Sequence, residues 1–290
     1  MTRPVLVTTD LDRTLIFSPR ATAELGGALP RSVVEVLDGR VISEMADVVR
    51  DGLAGLARLP AATLTVVPTT TRTARQAQRI DLPFLPRFLI ASSGGVVLED
   101  GRIDPVWAAT TARRLQDCAP AAEVRGVLDA LVGDGTVLRA YTADEQFCYA
   151  IVDPGTFTVE HVEELTSALV PRSWRVAHQG TKVYVLPDAL HKAHAIGYVR
   201  DRLADELGEL PTLLAAGDTW LDAEMLELAD SGWVPLGSEI ASATPLPWPH
   251  VAVTDAPGHA AAAQIVGAWA ARLHGTASGA GSRPARVPLS

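Results

Sequence analysis

The residues best suited to chemistry are carboxylates at short, fixed spacing. Asp10-Leu11-Asp12-Arg13-Thr14 follows the apolar run Val5-Leu6-Val7-Thr8-Thr9. In extended backbone, residues 10 and 12 point to the same side. Two carboxylates that close repel one another unless a cation or a proton intervenes. A polar turn after a strand is the plain alternative. A second acidic pair, Asp218 and Asp222, lies in LLAAGDTWLDAEM. If a helix starts there, the two share a face near its N-terminus. Acidic residues at that end suit the helix dipole. They equally suit a hard cation, because magnesium takes oxygen ligands, commonly one or two carboxylates with water and a phosphate.

Two quieter features accompany these pairs. Thr69-Thr70-Thr71 closes the apolar run Leu64-Thr65-Val66-Val67. Hydroxyls there either cap the next helix or hydrogen-bond an anion. Lys192 opens a helical stretch, where a cation is poorly matched to the helix dipole. A solvated lysine is the plain alternative.

The elements that must position these groups follow from hydrophobic pattern. Val5–Thr9, Leu64–Val67, Phe88–Ile90, Leu213–Ala216 and Val251–Val253 read as strands, and residues 43–58 as a helix with Met45, Val48, Val49, Leu53 and Leu56 on one face. Helices are also predicted from about Thr73, from Lys192 to about Leu207, near Leu221, and up to about Leu273. Strands alternating with helices predict a parallel sheet covered on both faces. Ligands bind such sheets at the carboxyl ends of the strands, which is where the acidic pairs fall.

Between these stretches the pattern changes. Two helical segments, 106–117 and 121–132, precede strand-like runs at Thr136–Tyr141 and Phe147–Val152, a helix at 158–169, and strands at Trp174–His178 and Lys182–Leu186. Closely paired strands around a helix predict an antiparallel α+β module inserted into the larger domain. The resulting division is a core of 1–97 and 188–274, an insert of 98–187, and a Gly-, Ser- and Pro-rich tail of 275–290 expected to be disordered.

Composition narrows the function classes. A net charge of −9 argues against a broad nucleic-acid surface. Cys118 and Cys148 form neither a disulfide framework nor a zinc-like cluster. The longest bland apolar region, Ala260–Ala271, is too short for a bilayer, which needs about 20 residues. Asp10, Asp12 and Arg13 arrive before any signal-like apolar stretch, so a soluble cytoplasmic protein with no membrane partner is expected.

Taken in order, the chain reads apolar strand and DLDRT, apolar strand and TTR, a Lys, then apolar strand and GDTWLD. This order resembles the four motifs of the haloacid dehalogenase-like (HAD) superfamily: hhhhDxDxT, hhhhT, Lys, and hhhGDxxxD, where h is apolar. The match covers about 1–91 and 188–273. It implies an α/β Rossmann-like core and a magnesium-dependent phosphatase. In the implied mechanism Asp10 is the nucleophile that forms an aspartyl-phosphate. Asp12 is the general acid and then the general base. Thr70 holds the transferring phosphoryl group, with Thr69 and Thr71 as alternatives. Lys192 neutralises charge, with Lys182 as its competitor for that motif. Mg2+ is implied at Asp10, the carbonyl of Asp12, Asp218 and Asp222, the last directly or through water.

The insert falls between the second and third motifs. That placement resembles the cap of Cof-type, sucrose-phosphate and mannosyl-3-phosphoglycerate phosphatases, with Ser92-Ser93-Gly94-Gly95 leading into it. It implies a small phosphorylated metabolite, a sugar phosphate or phosphoglycerate derivative, as substrate. Arg72 and Lys182 are candidate contacts for it. Arg13 could touch substrate, and Trp220 could line the pocket mouth or pack inside. His191 and His194, flanking Lys192, read as structural or solvated. Two other functions remain open: a phosphotransferase or phosphomutase using the same intermediate, and a non-catalytic binding protein on the same scaffold. Oligomeric state is not legible.

Overall fold

The computed structural model describes residues 3–26, 29–133 and 135–278. The expected tail lies largely outside the described residues, because the last helix continues through Ser278.

The first half of the core runs β1 (Val5–Thr9), α1 (Pro19–Leu25), β2 (Arg31–Leu37), β3 (Arg40–Ala46), α2 (Asp47–Leu56), β4 (Leu64–Pro68), α3 (Ala74–Ala77) and β5 (Phe88–Ala91). Next come β6 (Val96–Glu99), β7 (Arg102–Ile103), α4 (Pro105–Arg114), α5 (Ala121–Gly133), β8 (Arg139–Ala143), β9 (Phe147–Ile151), α6 (Val159–Leu169), β10 (Trp174–Gln179) and β11 (Lys182–Pro187). The chain closes with α7 (Lys192–Leu207), β12 (Thr212–Ala216), α8 (Ala223–Leu228), β13 (Ser231–Val234), β14 (Val251–Val253) and α9 (Gly258–Ser278).

The main sheet is parallel throughout, in the order β14-β13-β12-β1-β4. Every residue of β1 is buried, as a central strand covered on both faces requires. Its side chains alternate between two cores. Val5 and Val7 pack with Leu53, Ile265 and Trp269 under α2 and α9. Leu6 packs with Ile196, Val199 and Leu213 under α7. The chain leaves β1 for β4 on one side and returns to β12 on the other. The crevice this reversal creates opens at the carboxyl ends of β1, β4 and β12.

The insert is a second sheet, antiparallel in the order β10-β11-β9-β8. Its outer face packs Val183, Val185 and Ala150 against Val124 and Leu128 of α5 and Leu165 and Leu169 of α6. Its other face looks toward the crevice. The molecule is therefore a Rossmann-like parallel core carrying an inserted α+β cap.

Several local expectations change. Residues 43–46 are strand, because β3 pairs antiparallel with β2 as a hairpin before α2 begins at Asp47. Phe88–Ala91 pairs antiparallel with β6, and its parallel bridge is of Ile90 with Thr69, just past β4. The helix after Thr73 lasts four residues. The boundary read at 98 falls inside β6, whose Val97 packs with Trp107 of α4 in a core cluster.

Candidate active site

Asp10 sits one residue past β1, its amide donating to the Ala216 carbonyl at the end of β12 (2.8 Å). Asp218 and Asp222 follow β12, and Lys192 is the first residue of α7. Topology thus brings together four groups that lie up to 212 positions apart in sequence (Asp10 to Asp222). Lys192 is 1% exposed, and its Nζ donates to Asp10 Oδ1 (2.7 Å) and Asp222 Oδ1 (2.5 Å). Asp222 Oδ2 accepts from the amides of Asp218 (3.0 Å) and Thr219 (3.1 Å). The side chain of Asp222 folds back over Gly217 so closely that a Cβ there would lie 2.5 Å from Asp222 Cβ.

The electrostatics of this cluster are unbalanced. Asp10, Asp218 and Asp222 are buried with carboxylate oxygens within 4.8 Å of one another. Burial, and then the charges of Asp222 and Asp12, push the Asp10 carboxyl up to about 7 despite Lys192. Burial and the charges of Asp10 and Asp222 hold Asp218 well above the usual carboxylate range. Burial alone would favour a neutral Lys192, but Asp10 and Asp222 outweigh it and raise its affinity for the proton. Three carboxylates face one ammonium, and a divalent cation is the natural counter-charge. Oxygen donors of this kind fit a hard ion such as magnesium. Both Asp222 oxygens already accept protein hydrogen bonds, which suits contact with such an ion through water.

Asp12 lies on the other side of the cleft floor, its side chain 46% exposed. Arg72, just past β4, grips it with a two-pronged contact: Nε to Oδ2 at 2.6 Å and Nη2 to Oδ1 at 2.7 Å. Burial raises the Asp12 carboxyl, but the hydrogen bonds and charge of Arg72 outweigh it and hold the group below its ordinary value. The remaining Arg72 prong reaches Glu35 on β2. The guanidinium expected to meet substrate is thus already engaged by protein.

Thr70 is fully buried, its hydroxyl accepting from the Arg72 amide (3.1 Å), while Thr71 lies on the cleft wall. Lys182 comes from the cap strand β11 and lines the same cleft. Its proton affinity is raised by the neighbouring Tyr184 and, against burial, by Asp12. Lys182 therefore faces the site from above, whereas Lys192 is inside it. Arg13 lines the cleft and lies 3.6 Å from Glu24. Trp220 is 43% exposed beside Trp248, so it is neither inside nor part of the cleft wall. The rings of His191 and His194 lie against each other, tilted by 36° with 3.7 Å between centroids.

The cleft measures about 870 Å³, with core residues below and Tyr149, His178, Gln179, Lys182 and Tyr184 of the cap above. The cap also touches the core beyond the cleft. Asp144 in the β8–β9 turn accepts from the Ser92 hydroxyl (2.5 Å) and the Ala74 amide (2.9 Å). Leu221, in the loop between Asp218 and Asp222, packs against the cap's hydrophobic cluster. Sequence reasoning missed Glu35, Ser43 and Arg79, which surround Arg72, and the cap residues other than Lys182. The available signal for Glu35 was a lone carboxylate within Ser32-Val33-Val34-Glu35-Val36-Leu37.

No family model and no curated protein matches the chain. Solved structures do match, over nearly its whole length. The sucrose-phosphatase of Synechocystis sp. PCC6803, in complex with sucrose and phosphate, aligns with TM-score 0.62 at 16% identity, covering 94% of this chain and 98% of that one. The C-terminal domain of trehalose-6-phosphate phosphatase from C. albicans gives 0.60 at 13%, covering 93% of each. A haloacid dehalogenase-like hydrolase from Bacteroides thetaiotaomicron gives 0.54 at 15%, covering 92% of this chain and 100% of that one. Likeness at these identities is likeness of fold: the chain shares with these structures a Rossmann-like parallel core carrying an inserted cap.

Proposed function

We propose that the protein is a magnesium-dependent phosphomonoester hydrolase acting on a small phosphorylated metabolite through an aspartyl-phosphate. The observation that carries this reading is the buried trio Asp10, Asp218 and Asp222 around Lys192, at the carboxyl ends of adjacent parallel strands. Lys192 holds Oδ1 of Asp10, which leaves Oδ2 to attack phosphorus. The P–O ester bond breaks, and the leaving alkoxide takes a proton from Asp12. Asp12 must carry that proton when substrate is bound. A dianionic phosphoryl group beside it supplies the like charge that favours protonation against Arg72. Water then attacks phosphorus and gives its proton to Asp12, and Asp10 departs as a carboxylate. Thr70 and Lys192 bind the phosphoryl oxygens in both steps. A magnesium ion held by Asp10, Asp218 and the Asp12 carbonyl, with Asp222 behind it, would neutralise charge on the phosphoryl group.

The cap supports a sugar-phosphate or phosphoglycerate substrate. Its tyrosines offer ring faces, Lys182 offers a cation, and the cleft has room for a small polyol. The test is magnesium-dependent phosphate release from a panel of phosphorylated metabolites, with Asp10→Asn alongside. Release that needs magnesium and vanishes in the variant is the expected result. Equal release from the variant would overturn the assignment of Asp10. Transfer of phosphate to an added alcohol in preference to water would make the protein a phosphotransferase.

A further inference from the structure

A network leads away from the cleft through Arg72. Beyond its fork on Asp12, Arg72 donates from Nη1 to Glu35 Oε2 (2.5 Å) and from Nη2 to Ser43 Oγ (3.1 Å). The Glu35 side chain has no exposure. Its other oxygen, Oε1, accepts from Arg79 Nη2 (3.0 Å) and Nε (3.2 Å), and Ser43 Oγ donates to Oε2 (3.3 Å). Arg79 alone would neutralise Glu35, so a second guanidinium is not needed for that purpose. What the arrangement does supply is orientation. A planar fork on both carboxylate oxygens fixes the carboxylate plane, as an ammonium could not. The fork is itself fixed from behind by a buried carboxylate on the β2–β3 hairpin.

We propose that Arg72, anchored by Glu35, is a positioning residue that sets the Asp12 carboxyl group for proton transfer to the leaving oxygen, and that it is not a contact for substrate. The proposal rests on the phosphatase reading above. It predicts a dependence on the leaving group. Phenolate is a basic leaving group, with a conjugate-acid pKa near that of tyrosine, about 10. It gains from a well-placed proton donor. The p-nitrophenolate ion departs without one.

The test compares kcat/KM for phenyl phosphate and p-nitrophenyl phosphate, two esters of similar shape, in the presence of magnesium. Because kcat/KM covers only the steps through phosphorylation of Asp10, the later hydrolysis does not blur the comparison. In Arg72→Met, kcat/KM for phenyl phosphate should fall on the order of 10²-fold, the scale of a displaced catalytic group. For p-nitrophenyl phosphate the loss should be at least tenfold smaller, about a tenth of that displacement effect. Arg72→Lys keeps a cation but no fork, so it should show the same discrimination between esters; it also carries the test if Arg72→Met does not fold. In an Asp12→Asn background, Arg72→Met should add no further discrimination.

Equal losses on the two esters would overturn the proposal and make Arg72 a phosphate contact. Restoration of the wild-type ratio by Arg72→Lys would overturn it in favour of charge alone. A wild-type protein silent on both esters would instead overturn the phosphatase reading, and this proposal with it.

Discussion

Without a cation, a proton on Asp10 relieves both its burial and its repulsion from Asp222 and Asp12. The group sits at about 7 in the folded protein against an ordinary 3.8. The folded state thus binds this proton more tightly than the unfolded chain. Stability contributed by Asp10 therefore rises as pH falls through 7 and levels off below 3.8; above pH 7 its ionised form weakens the fold. Asp10→Asn should raise the Tm of chelator-treated protein clearly at pH 8 and much less at pH 5. Equal shifts at the two pH values would contradict this electrostatic account. Lys192 carries the opposite prediction. Lys192→Met leaves Asp10 and Asp222 buried without their shared cation. A loss of about 3–5 kcal/mol is the scale for breaking such a pair. Chemical denaturation with and without magnesium checks it, and added magnesium should restore part of the loss.

At the level of elements, the loop after β12 is shaped by a missing side chain. Alanine at position 217 would place its Cβ against Asp222 Cβ and Cγ, at 2.5 and 2.6 Å. Gly217→Ala should therefore displace Asp222 from the Lys192 ammonium and lower phosphate release at least tenfold, about 1.4 kcal/mol in the barrier, with the circular dichroism spectrum unchanged. The β2–β3 hairpin turns at Asp38 and Gly39, both with positive φ (50° and 75°). Gly39→Ala meets no neighbouring atom, so its cost is conformational, about 1–2 kcal/mol in denaturant unfolding.

That hairpin also shows where the sequence was and was not legible. Strands β1 and β12 and helix α7 were read nearly to the residue, because continuous apolar runs and long 3.6-residue periods are strong signals. The strands β2, β3, β6 and β7 were overlooked, although Asp38-Gly39-Arg40 and Asp100-Gly101-Arg102 mark both hairpins with the same turn residues. Helical spacing among Met45, Val49 and Leu53 drew residues 43–46 into a helix. In the fold, Met45 is buried from the strand side instead. Glu35 escaped notice because β2 carries a register shift there that turns both Val34 and Glu35 inward, against strict alternation. That the carboxylates and Lys192 come together was legible because strand ends in a parallel sheet converge. The partners of Arg72 were not, because they depend on that irregular pairing.

For the molecule as a whole, one buried and one half-buried group, Asp10 and His194, give the pH profile opposing slopes. Burial, and then the charges of His191 and Arg114, hold His194 down to about 4, below its ordinary 6.5. Its contribution to stability is complete above 6.5 and is lost as pH falls toward 4. His194→Gln should lose less Tm than wild type between pH 7 and pH 4.5. Asp10→Asn, lacking the group that gains from acid, should lose more. Among the described residues no helix is long and apolar enough to cross a membrane. Against a net charge of −9, the crevice gathers cations (Arg13, Arg72, Lys182 and Lys192) among its carboxylates Asp10, Asp12, Glu35 and Asp218.

The contact of Leu221 with the cap's apolar cluster has a consequence for energy exchange between the two domains. Leu221 lies between Asp218 and Asp222, so the loop that would hold the ion also carries a side chain packed on the apolar cluster built mainly by the cap. If the anchored and detached arrangements of that loop differ in affinity for the ion, thermodynamic reciprocity follows. By whatever factor a docked cap tightens ion binding, the ion must favour docking by the same factor. A single leucine would thereby couple the ion's chemical potential to the opening of the cleft, with no residue of the cap touching the ion.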